Sequence, residues 1–546
     1  MTCIESARQA WRAVLGESSV WDAETAQRHF GADTGGARRN LAGALRVKDA
    51  EQVPELMSIA QQFGAPVHPI STGRNWGYGT ALPVGDGCHI LDLSGLRQIR
   101  AFDPDLGVVT VEPGVTQGML YEFLKSRKAP FLVPVTGAGP SCSLVGNALE
   151  RGYGITPTAD HFAAITDAEV VLPDGSVHRS LMRNWGGTDI ARLYRWGIGP
   201  YAMGLFSQSN LGVVTSLSIA LARRPARVEA FIFSLRDDAL LEAAIDALQR
   251  ALSTLPGIIG GANLMNRHRV LAMTAPYPER IARDANGLIP QALLASMGRQ
   301  FQVAPWTGFV TLYGSEAVVR GARADLKRLL RPIGTRCLFM TPQRAQTLAR
   351  WTARLPGNLG QRLASTTRTL AKSLQLVDGQ PNETALPLAY WRSGTRPASG
   401  DLNPGRDGCG LRWFAPLLPI RPQVVRSFVD GVHTVTAQHS IEPLITLTSV
   451  GDRLFDSTVP ILFDRHDPQE CRSAGACHTA LLNMARELGC MPYRLGADDF
   501  NVFDGLTPEQ TGPSLIGRIR ATLDPAGVLS PGKFTNQHCT EPLAGK

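Results

Sequence analysis

Residues 71–79 read Ser-Thr-Gly-Arg-Asn-Trp-Gly-Tyr-Gly and follow an apolar run that has the composition of a β-strand. Glycine tolerates positive φ and lets the backbone approach a ligand closely, and consecutive N–H groups in such a turn form a concave site for anions. The loop therefore predicts a site for a phosphate or pyrophosphate. It is neither a P-loop nor a Rossmann fingerprint, because it lacks G-x-x-x-x-G-K-[ST] and continues through residues 80–83 toward another strand. A glycine-rich surface turn is the alternative interpretation.

Two further glycine-rich segments occur in the same part of the chain. Residues 135–147 read VTGAGPSCSLVGN and are followed by RGYG at 151–154. Residues 204–215 read GLFSQSNLGVVT and end in a strand-like run whose backbone could bind the edge of a ligand. Each segment alone could be an ordinary turn, but the three together favour one extended ligand.

The size and composition predict a globular protein with two domains. The chain has 546 residues, of which 44% are hydrophobic and 19% charged, and single cores rarely grow beyond about 250–300 residues. No run of about 18 apolar residues could cross a membrane. The residues at the start lack the apolar segment and cleavage site of a secretory signal. We therefore expect a cytoplasmic protein without a membrane partner.

The charged residues and the cysteines indicate neither a nucleic-acid partner nor a metal. The formal net charge of +8 is spread over the chain rather than gathered in one basic tract, and it is compatible with an anionic cofactor. Nine cysteines include no C-x-x-C pair, so reduced thiols are expected. Cys471, Cys477, His478 and Cys490 have spacings that fit no common zinc pattern, and most of them lie on one predicted helix. We predict no metal site.

Alternating strand-like and helix-like segments predict an α+β fold. From about residue 39 to 225, short β-rich runs alternate with helical stretches, and residues 167–179 predict a hairpin that turns at Pro173-Asp174-Gly175. After residue 225, strand-helix-strand units repeat, which predicts an antiparallel sheet covered on one face by helices. Residues 365–407 are rich in Pro, Gly, Ser and Thr and predict a long excursion from that sheet.

Several ordered motifs give the chain a specific resemblance to a known family. It resembles the flavoproteins of the vanillyl-alcohol oxidase and para-cresol methylhydroxylase family over nearly its full length. The matching segments are ISTGRNWGYG (70–79), EPGV (112–115), LVGNALERGYGITP (144–157), LFSQSNLGVVT (205–215), LRWFAP (411–416), MPYR (491–494) and LDPAGVLSPGKF (523–534).

The resemblance implies a two-domain α+β fold of the para-cresol methylhydroxylase type. It implies an FAD-binding domain at residues 1–225, with its core at about 39–225. An antiparallel-sheet cap that binds substrate would follow at 226–485, and residues 486–546 would return to the FAD-binding domain.

The resemblance also implies that FAD is the cofactor, with the loop 71–79 around its pyrophosphate and residues 137–154 and 208–215 along the flavin. The residues assigned to FAD in this way are Ser71, Thr72, Gly73, Arg74, Asn75, Trp76, Gly77, Thr136, Gly137, Gly139, Ser141, Ser143, Gly146, Asn147, Gly152, Gly154, Gly212, Val214 and Lys533. The large anionic ligand expected from the glycine-rich loops agrees with this cofactor.

The resemblance assigns substrate binding to Tyr78, Tyr493 and Arg494. Relatives that oxidise para-substituted phenols hold the phenolic oxygen with two tyrosines and an arginine, and all three types are present here. A phenol with a pKa near 10 is neutral at pH 7, whereas a guanidinium and two O–H donors favour the phenolate. The phenolate donates electrons to the ring, so that a hydride can leave the para benzylic carbon for flavin N5. The alternative is that the tyrosines and the arginine have only structural roles.

Two positions depart from the family pattern. Where relatives carry a His or Tyr that bonds covalently to the flavin, this chain has Leu411, and Cys409 lies outside the pattern. We therefore predict non-covalent FAD. Where vanillyl-alcohol oxidase has a carboxylate near flavin N5, this chain has Ala138, which removes a potential base. Asp456 is interpreted as a carboxylate in a surface loop, and the pair at 160–161 as structural.

The sequence thus predicts an FAD-dependent oxidoreductase that acts on a para-substituted phenolic or related activated aromatic small molecule. One alternative is an FAD-dependent oxidase or dehydrogenase of a non-phenolic specialised metabolite. A second is a flavin-scaffold protein that binds a ligand without redox turnover. The electron acceptor would be oxygen or a redox partner, and a homodimer is a reasonable expectation for the family.

Overall fold

Helices and sheets form two domains in this chain, as predicted. The computed structural model describes residues 3–279, 283–333, 336–398, 400–503 and 515–534. This part contains sheets of four, five, two and nine strands. None of its helices combines the length and the apolar character that a membrane span requires.

The first sheet places the glycine-rich loop at the end of a strand. Its strands are β1 (Val20–Trp21), β2 (Gly43–Arg46), β3 (Val67–Ile70) and β4 (His89–Asp92), in the order β1-β2-β4-β3, with β2 and β3 parallel to β4. The accompanying helices are α1 (Cys3–Leu15), α2 (Ala23–Phe30) and α3 (Val53–Phe63). α3 buries Val53, Leu56 and Ala60 in the same core as Trp11 of α1, because these positions recur on one helix face. The chain then returns through β3 directly into the loop 71–79.

The second sheet of this domain is antiparallel. Its strands are β5 (Ile99–Asp103), β6 (Val108–Val111), β8 (Ile165–Val171), β9 (Val177–His178) and β10 (Val213–Ala220), in the order β5-β6-β10-β8-β9, while β7 (Phe131–Leu132) pairs with β11 (Ala222–Arg223). The helices here are α4 (Gln117–Ser126), α5 (Leu144–Leu149), α6 (Leu181–Asn184) and α7 (Thr188–Ala191). The predicted hairpin is confirmed, since β8 and β9 pair across the turn that contains Gly175.

The cap domain is built on the nine-stranded antiparallel sheet. Its strands are β12 (Arg227–Leu235), β13 (Ile259–Asn266), β14 (Trp306–Gly314), β15 (Arg336–Met340), β16 (Cys409–Phe414), β17 (Pro416–Pro419), β18 (Thr446–Val450), β19 (Leu454–Asp464) and β20 (Met491–Pro492). They run in the order β15-β12-β14-β13-β18-β19-β17-β20, with β16 also paired to β19. The helices of this region are α8 (Leu241–Thr254), α9 (Arg267–Thr274), α10 (Gln291–Phe301), α11 (Glu316–Leu330), α12 (Pro342–Thr352), α13 (Gly357–Val377), α14 (Pro422–Gln438) and α15 (Pro468–Glu487).

The two faces of this sheet have different roles. Phe455, Val459 and Ile461 of β19 share one apolar core with buried residues of α8, α11, α14 and α15, which confirms the predicted helical layer. Because successive side chains of a strand alternate between faces, Asp456 and Thr458 point to the opposite side, toward the first domain. The interpretation of Asp456 as a surface-loop residue is therefore wrong: it lies within β19 and is fully buried.

Two other expectations are refined. Residues 365–377 belong to α13 rather than to an irregular excursion, because buried Ala364, Ala371 and Leu374 recur at helical spacing.

Near the C-terminus, after α16 (Leu515–Leu523), the chain returns to the first domain. Val67 N–H donates to Val528 O at 2.8 Å and Ser530 N–H donates to Val67 O at 2.8 Å. Residues 504–514 and 535–546 of the predicted C-terminal segment lie outside the described residues, and the domain boundaries stay predictions.

Candidate active site

Most of the predicted site residues line one cleft between the two domains. The predicted residues in its wall are Ser71, Thr72, Gly73, Arg74, Asn75, Trp76, Tyr78, Thr136, Gly137, Ser143, Gly146, Asn147, Gly152, Gly212, Val214, Tyr493, Arg494 and Lys533. Gly77, Gly139, Ser141 and Gly154 are not part of the wall. The structure thus brings together three glycine-rich segments that are distant in sequence, together with cap residues that approach from the other side.

The loop 71–79 requires glycine for two reasons. Gly73, Gly77 and Gly79 have φ values of 62°, 81° and 107°, which disfavour other residues. A Cβ on Gly77 would also lie 2.2 Å from Cδ1 of Trp413, and one on Gly79 would lie 2.6 Å from Cβ of Ala497. The loop therefore packs its backbone directly against the cap and against the segment that follows Arg494.

Unpaired donors mark the first half of this loop as a place for an anion. Within the described residues, no protein acceptor pairs with the backbone N–H groups of Thr72, Gly73 or Arg74. The buried Nη1 of Arg74 also lacks a hydrogen-bond partner there. A buried guanidinium nitrogen is normally satisfied, so Nη1 of Arg74 and the unpaired N–H groups of the loop fit a bound phosphate or pyrophosphate.

The second glycine-rich segment meets the first at the start of α5. Ser143 caps this helix, since its Oγ accepts a hydrogen bond from Gly146 N–H at 3.0 Å. A Cβ on Gly146 would lie 3.0 Å from Oγ of Ser71, so glycine lets the two segments approach closely. Asn147 Nδ2 and the ring Nδ1 of His161 are 2.5 Å apart, which places His161 behind the wall as a support for Asn147.

Tyr78, Tyr493 and Arg494 converge at one point of the cleft. The guanidinium carbon of Arg494 lies 4.2 Å from the centre of the Tyr78 ring, and Tyr78, Tyr493 and Arg494 lie close enough to shift one another's pKa. Burial raises the pKa of both tyrosines above the usual value of 10, although the charge of Arg494 partly opposes this. Both side chains are consequently neutral at pH 7 and can donate O–H bonds.

A carboxylate that sequence reasoning missed connects the cations of this cleft. Glu150 lies with Oε2 3.6 Å from Nε of Arg494 and with Oε1 3.0 Å from Nζ of Lys533. Burial alone would raise the pKa of Glu150, but the charges of Lys533 and Arg494 lower it to about 2. Arg494 Nη2 also donates to Oδ1 of Asn75. The available signal was the Glu of LVGNALERGYG, which stands within a motif already singled out.

Asp456 is a second carboxyl group that the sequence interpretation misplaced. Within the described residues, neither of its side-chain oxygens has a hydrogen-bond partner, and burial raises its pKa well above 3.8. Its charge would raise the pKa of both Tyr78 and Tyr493, so it lies close to them. Burial therefore favours the neutral carboxylic acid form of Asp456 beside the two phenol groups.

The two departures from the family pattern lie at the cleft. Leu411 and Ala138 both line it. Arg412 points elsewhere, since its Nε donates to Gly35 O at 3.0 Å and its Nη2 lies 3.0 Å from Oδ2 of Asp498. Cys409 is fully buried in the cap and does not reach the cleft; burial raises the pKa of its thiol to about 12.

Comparison with known proteins agrees with this geometry. The family described as FAD binding domain matches residues 41–180. The chain is 33% identical over 538 residues to a 1'-carboxy-chondrochloren decarboxylase of Chondromyces crocatus, with 98% of each chain covered. It is 26% identical over 537 residues to the flavoprotein subunit of a 4-cresol dehydrogenase (hydroxylating) of Pseudomonas putida, covering 96% of this chain and 94% of the relative.

Solved structures agree as well. The structure of p-cresol methylhydroxylase with bound substrate superimposes with a TM-score of 0.83 at 25% identity, covering 97% of this chain and 96% of the other. The 4-ethylphenol oxidase from Gulosibacter chungangensis gives a TM-score of 0.85 at 22% identity, with 98% of each chain covered, and supports the fold. FAD is therefore the cofactor, and the alternative of a scaffold without redox turnover is set aside. This chain belongs to the vanillyl-alcohol oxidase and para-cresol methylhydroxylase family of FAD-linked oxidoreductases.

Proposed function

We propose that this enzyme oxidises a phenol with a carbon substituent para to the hydroxyl group. The observation that carries the proposal is the convergence of Tyr78, Tyr493 and Arg494 in the cleft. Two neutral O–H donors and one guanidinium fit a single phenolate oxygen and lower the free energy of its charged form. Glu150 offsets one of the two positive charges of Arg494 and Lys533, so the pair of cations keeps one positive charge that a phenolate can neutralise.

The residues of the first domain fit FAD. The unpaired N–H groups of residues 72–74 suit its pyrophosphate, and the segments at 136–147 and 208–214 suit the flavin. FAD, when bound, supplies the acceptor for a hydride from the para benzylic carbon. Lys533 would contribute a cation to the FAD site, and Glu150 holds its Nζ at 3.0 Å. Because Leu411 cannot form a bond to the flavin, we propose that FAD is held without a covalent link.

Loss of a hydride from the ionised substrate gives a quinone methide, whose fate depends on the bases available. Ala138 provides no carboxylate, and burial raises the pKa of Asp456, which favours its neutral acid form. A protonated carboxyl group can donate a hydrogen bond but cannot activate water as a base. Glu150 also lines the cleft, but a carboxylate whose pKa is lowered to about 2 is a weak base. The cleft therefore suits an intermediate that collapses without a base.

A second candidate function meets this condition. The relative from Chondromyces crocatus is named a decarboxylase, and a quinone methide with a carboxylate on the carbon next to the benzylic position can lose CO2. The bond to the carboxylate breaks, its electron pair restores the aromatic ring, and a 4-vinylphenolate results. Two electrons leave as the hydride, and no added water or base is required. This outcome uses the same phenol-binding residues as the first proposal.

Anaerobic mixing of the holoenzyme with matched aromatics tests the phenol proposal. We expect 4-ethylphenol to bleach the flavin. 3-Ethylphenol should not, because it cannot form a para-quinone methide, and 4-ethylanisole should not, because it has no hydroxyl group to ionise. Tyr493→Phe should slow bleaching by about 10²–10³-fold, while Tyr194→Phe, half-exposed on the surface, should not. If no phenol bleaches the flavin, or 4-ethylanisole bleaches it as fast as 4-ethylphenol, a non-phenolic substrate is the better assignment. Admitting oxygen afterwards shows whether oxygen or a redox partner accepts the electrons.

A further inference from the structure

Arg269 is a cleft residue that the proposed chemistry does not use. It lies in the first turn of α9 and lines the cleft from the cap side. Its Nε donates to Oγ1 of Thr446 at 3.0 Å. Its Nη1 is buried and has no hydrogen-bond partner within the described residues. A buried guanidinium nitrogen without an acceptor is unusual, because such groups are normally satisfied.

No carboxylate of the described residues balances the charge of Arg269. The other cations in the wall have identifiable roles: Arg494 and Lys533 share Glu150, and Arg74 belongs to the loop for the pyrophosphate. Burial lowers the pKa of Arg269 to about 10, with no charged neighbour involved. The group is therefore still protonated at pH 7, although an isolated buried charge is unfavourable. An anion that enters with the substrate would correct this imbalance.

The cap sheet connects Arg269 to the phenol-binding residues. Thr446 of β18 pairs with Thr458 of β19, and two residues along the strand Thr448 pairs with Asp456. These four side chains share the face toward the cleft, because residues two apart on a strand point the same way. One such step measures ~7 Å. Arg269 contacts Thr446 at one end of this polar row, and Asp456 beside the two tyrosines forms the other end.

We propose that Arg269 binds a carboxylate on the para substituent of the substrate. The inference rests on the proposed phenol oxidation and narrows its substrate class to phenols with an acidic side chain. One guanidinium supplies a single positive charge and a planar pair of donors, which match a carboxylate better than a dianionic phosphate. The apolar side chains of Leu388 and Trp413 line the same cleft and suit the ring between the two polar ends. A carboxylated substrate is also what the decarboxylating candidate function requires.

Binding of a matched pair of ligands tests this assignment. 4-Hydroxycinnamate and its amide have nearly the same shape and no sp³ benzylic hydrogen, so the holoenzyme can bind them without oxidising them. Dissociation constants follow from the change in flavin absorbance or from calorimetry. We expect the acid to bind at least about tenfold more tightly than the amide. In Arg269→Met and Arg269→Gln this preference should disappear. In the control Arg267→Met it should persist, because Arg267 lies on the same helix turn but does not line the cleft.

The possible outcomes separate the two proposals. If wild type binds acid and amide equally, or if both Arg269 variants keep the preference, the carboxylate site is wrong while the phenol site stands. If neither ligand binds and 4-ethylphenol does not bleach the flavin, the proposed function itself fails. Flavin content and thermal unfolding show whether a variant is still folded. If Arg269→Met is not folded, Arg269→Gln serves as the test, because glutamine retains hydrogen-bonding capacity.

Discussion

At the scale of single residues, the ion pairs of Glu150 stabilise the folded cleft. It faces Arg494 and Lys533, and their charges lower the pKa of Glu150 from 4.5 to about 2. A carboxylate whose pKa is depressed on folding stabilises the folded state above its unfolded pKa and loses this contribution as the pH falls. The stabilisation is therefore complete above about pH 4.5 and disappears between there and about pH 2.

Glu150→Gln tests this contribution. At pH 7 we expect the variant to be less stable by about 2 kcal/mol, a figure that discounts the pKa shift for the partial exposure of the side chain. Denaturant unfolding of both proteins at several pH values should show that this difference shrinks as the pH falls below about 4.5. Glu122→Gln is the control, because Glu122 is exposed on α4 beside Lys125. A difference that stays constant with pH would contradict the electrostatic origin.

The residues that sequence reasoning missed have partners far away in the chain. Glu150 and Lys533 are separated by 383 positions. Arg269 binds Thr446, which lies 177 positions later in the chain, so its place in the cleft cannot be recognised from neighbouring residues in the sequence. Asp456 looked like a loop residue because its neighbours in sequence do not reveal that both faces of β19 are covered. Tyr78, Tyr493 and Arg494 could be assigned to one predicted substrate site because their motifs are intact, and their role there stays a prediction. Local pattern therefore predicted the type of site, whereas burial and charge balance required the fold.

At the scale of elements, the loop 71–79 joins the two domains. β3 delivers it to the cleft, and Trp413 N–H of β16 donates to Gly77 O at 3.1 Å. The helices are easier to predict than this contact: α14 spans Pro422–Gln438, where proline suits the first turn and the apolar positions recur every three or four residues. α13 escaped prediction because its Ser and Thr content suggested irregular structure.

Gly77→Ala tests the close contact between loop and cap. The added Cβ would overlap the Trp413 indole, and φ at this position is 81°, so we expect a loss of about 2–5 kcal/mol in stability and lower FAD content. Gly85→Ala is the matched control, because a Cβ at Gly85 would have no neighbour within 4 Å and φ there is not positive. Thermal unfolding and flavin absorbance measure both effects. Equal behaviour of the two variants would contradict the steric argument.

At the scale of the whole molecule, the cleft exists only when the two domains are docked. The first domain supplies the glycine-rich segments, and the cap supplies Arg269, Leu411 and Trp413. Backbone and ion-pair contacts connect the domains beside the cleft, including Leu411 N–H to Thr34 O at 2.8 Å. A cofactor that touches both walls should therefore stabilise the docked arrangement as well as its own site.

Reversible removal of FAD tests two expectations: that the cofactor stabilises the docked domains, and that it is held without a covalent link. Acid precipitation should release all flavin into the supernatant, because Leu411 offers no bonding atom. The apoprotein should unfold at a lower temperature, and FAD at 100 times its dissociation constant should restore about 2.7 kcal/mol of stability. Bleaching by 4-ethylphenol should return with the same FAD dependence, since the cofactor completes a cleft whose other half binds substrate. Flavin that stays with the precipitated chain would instead reveal a covalent bond from a residue other than Leu411.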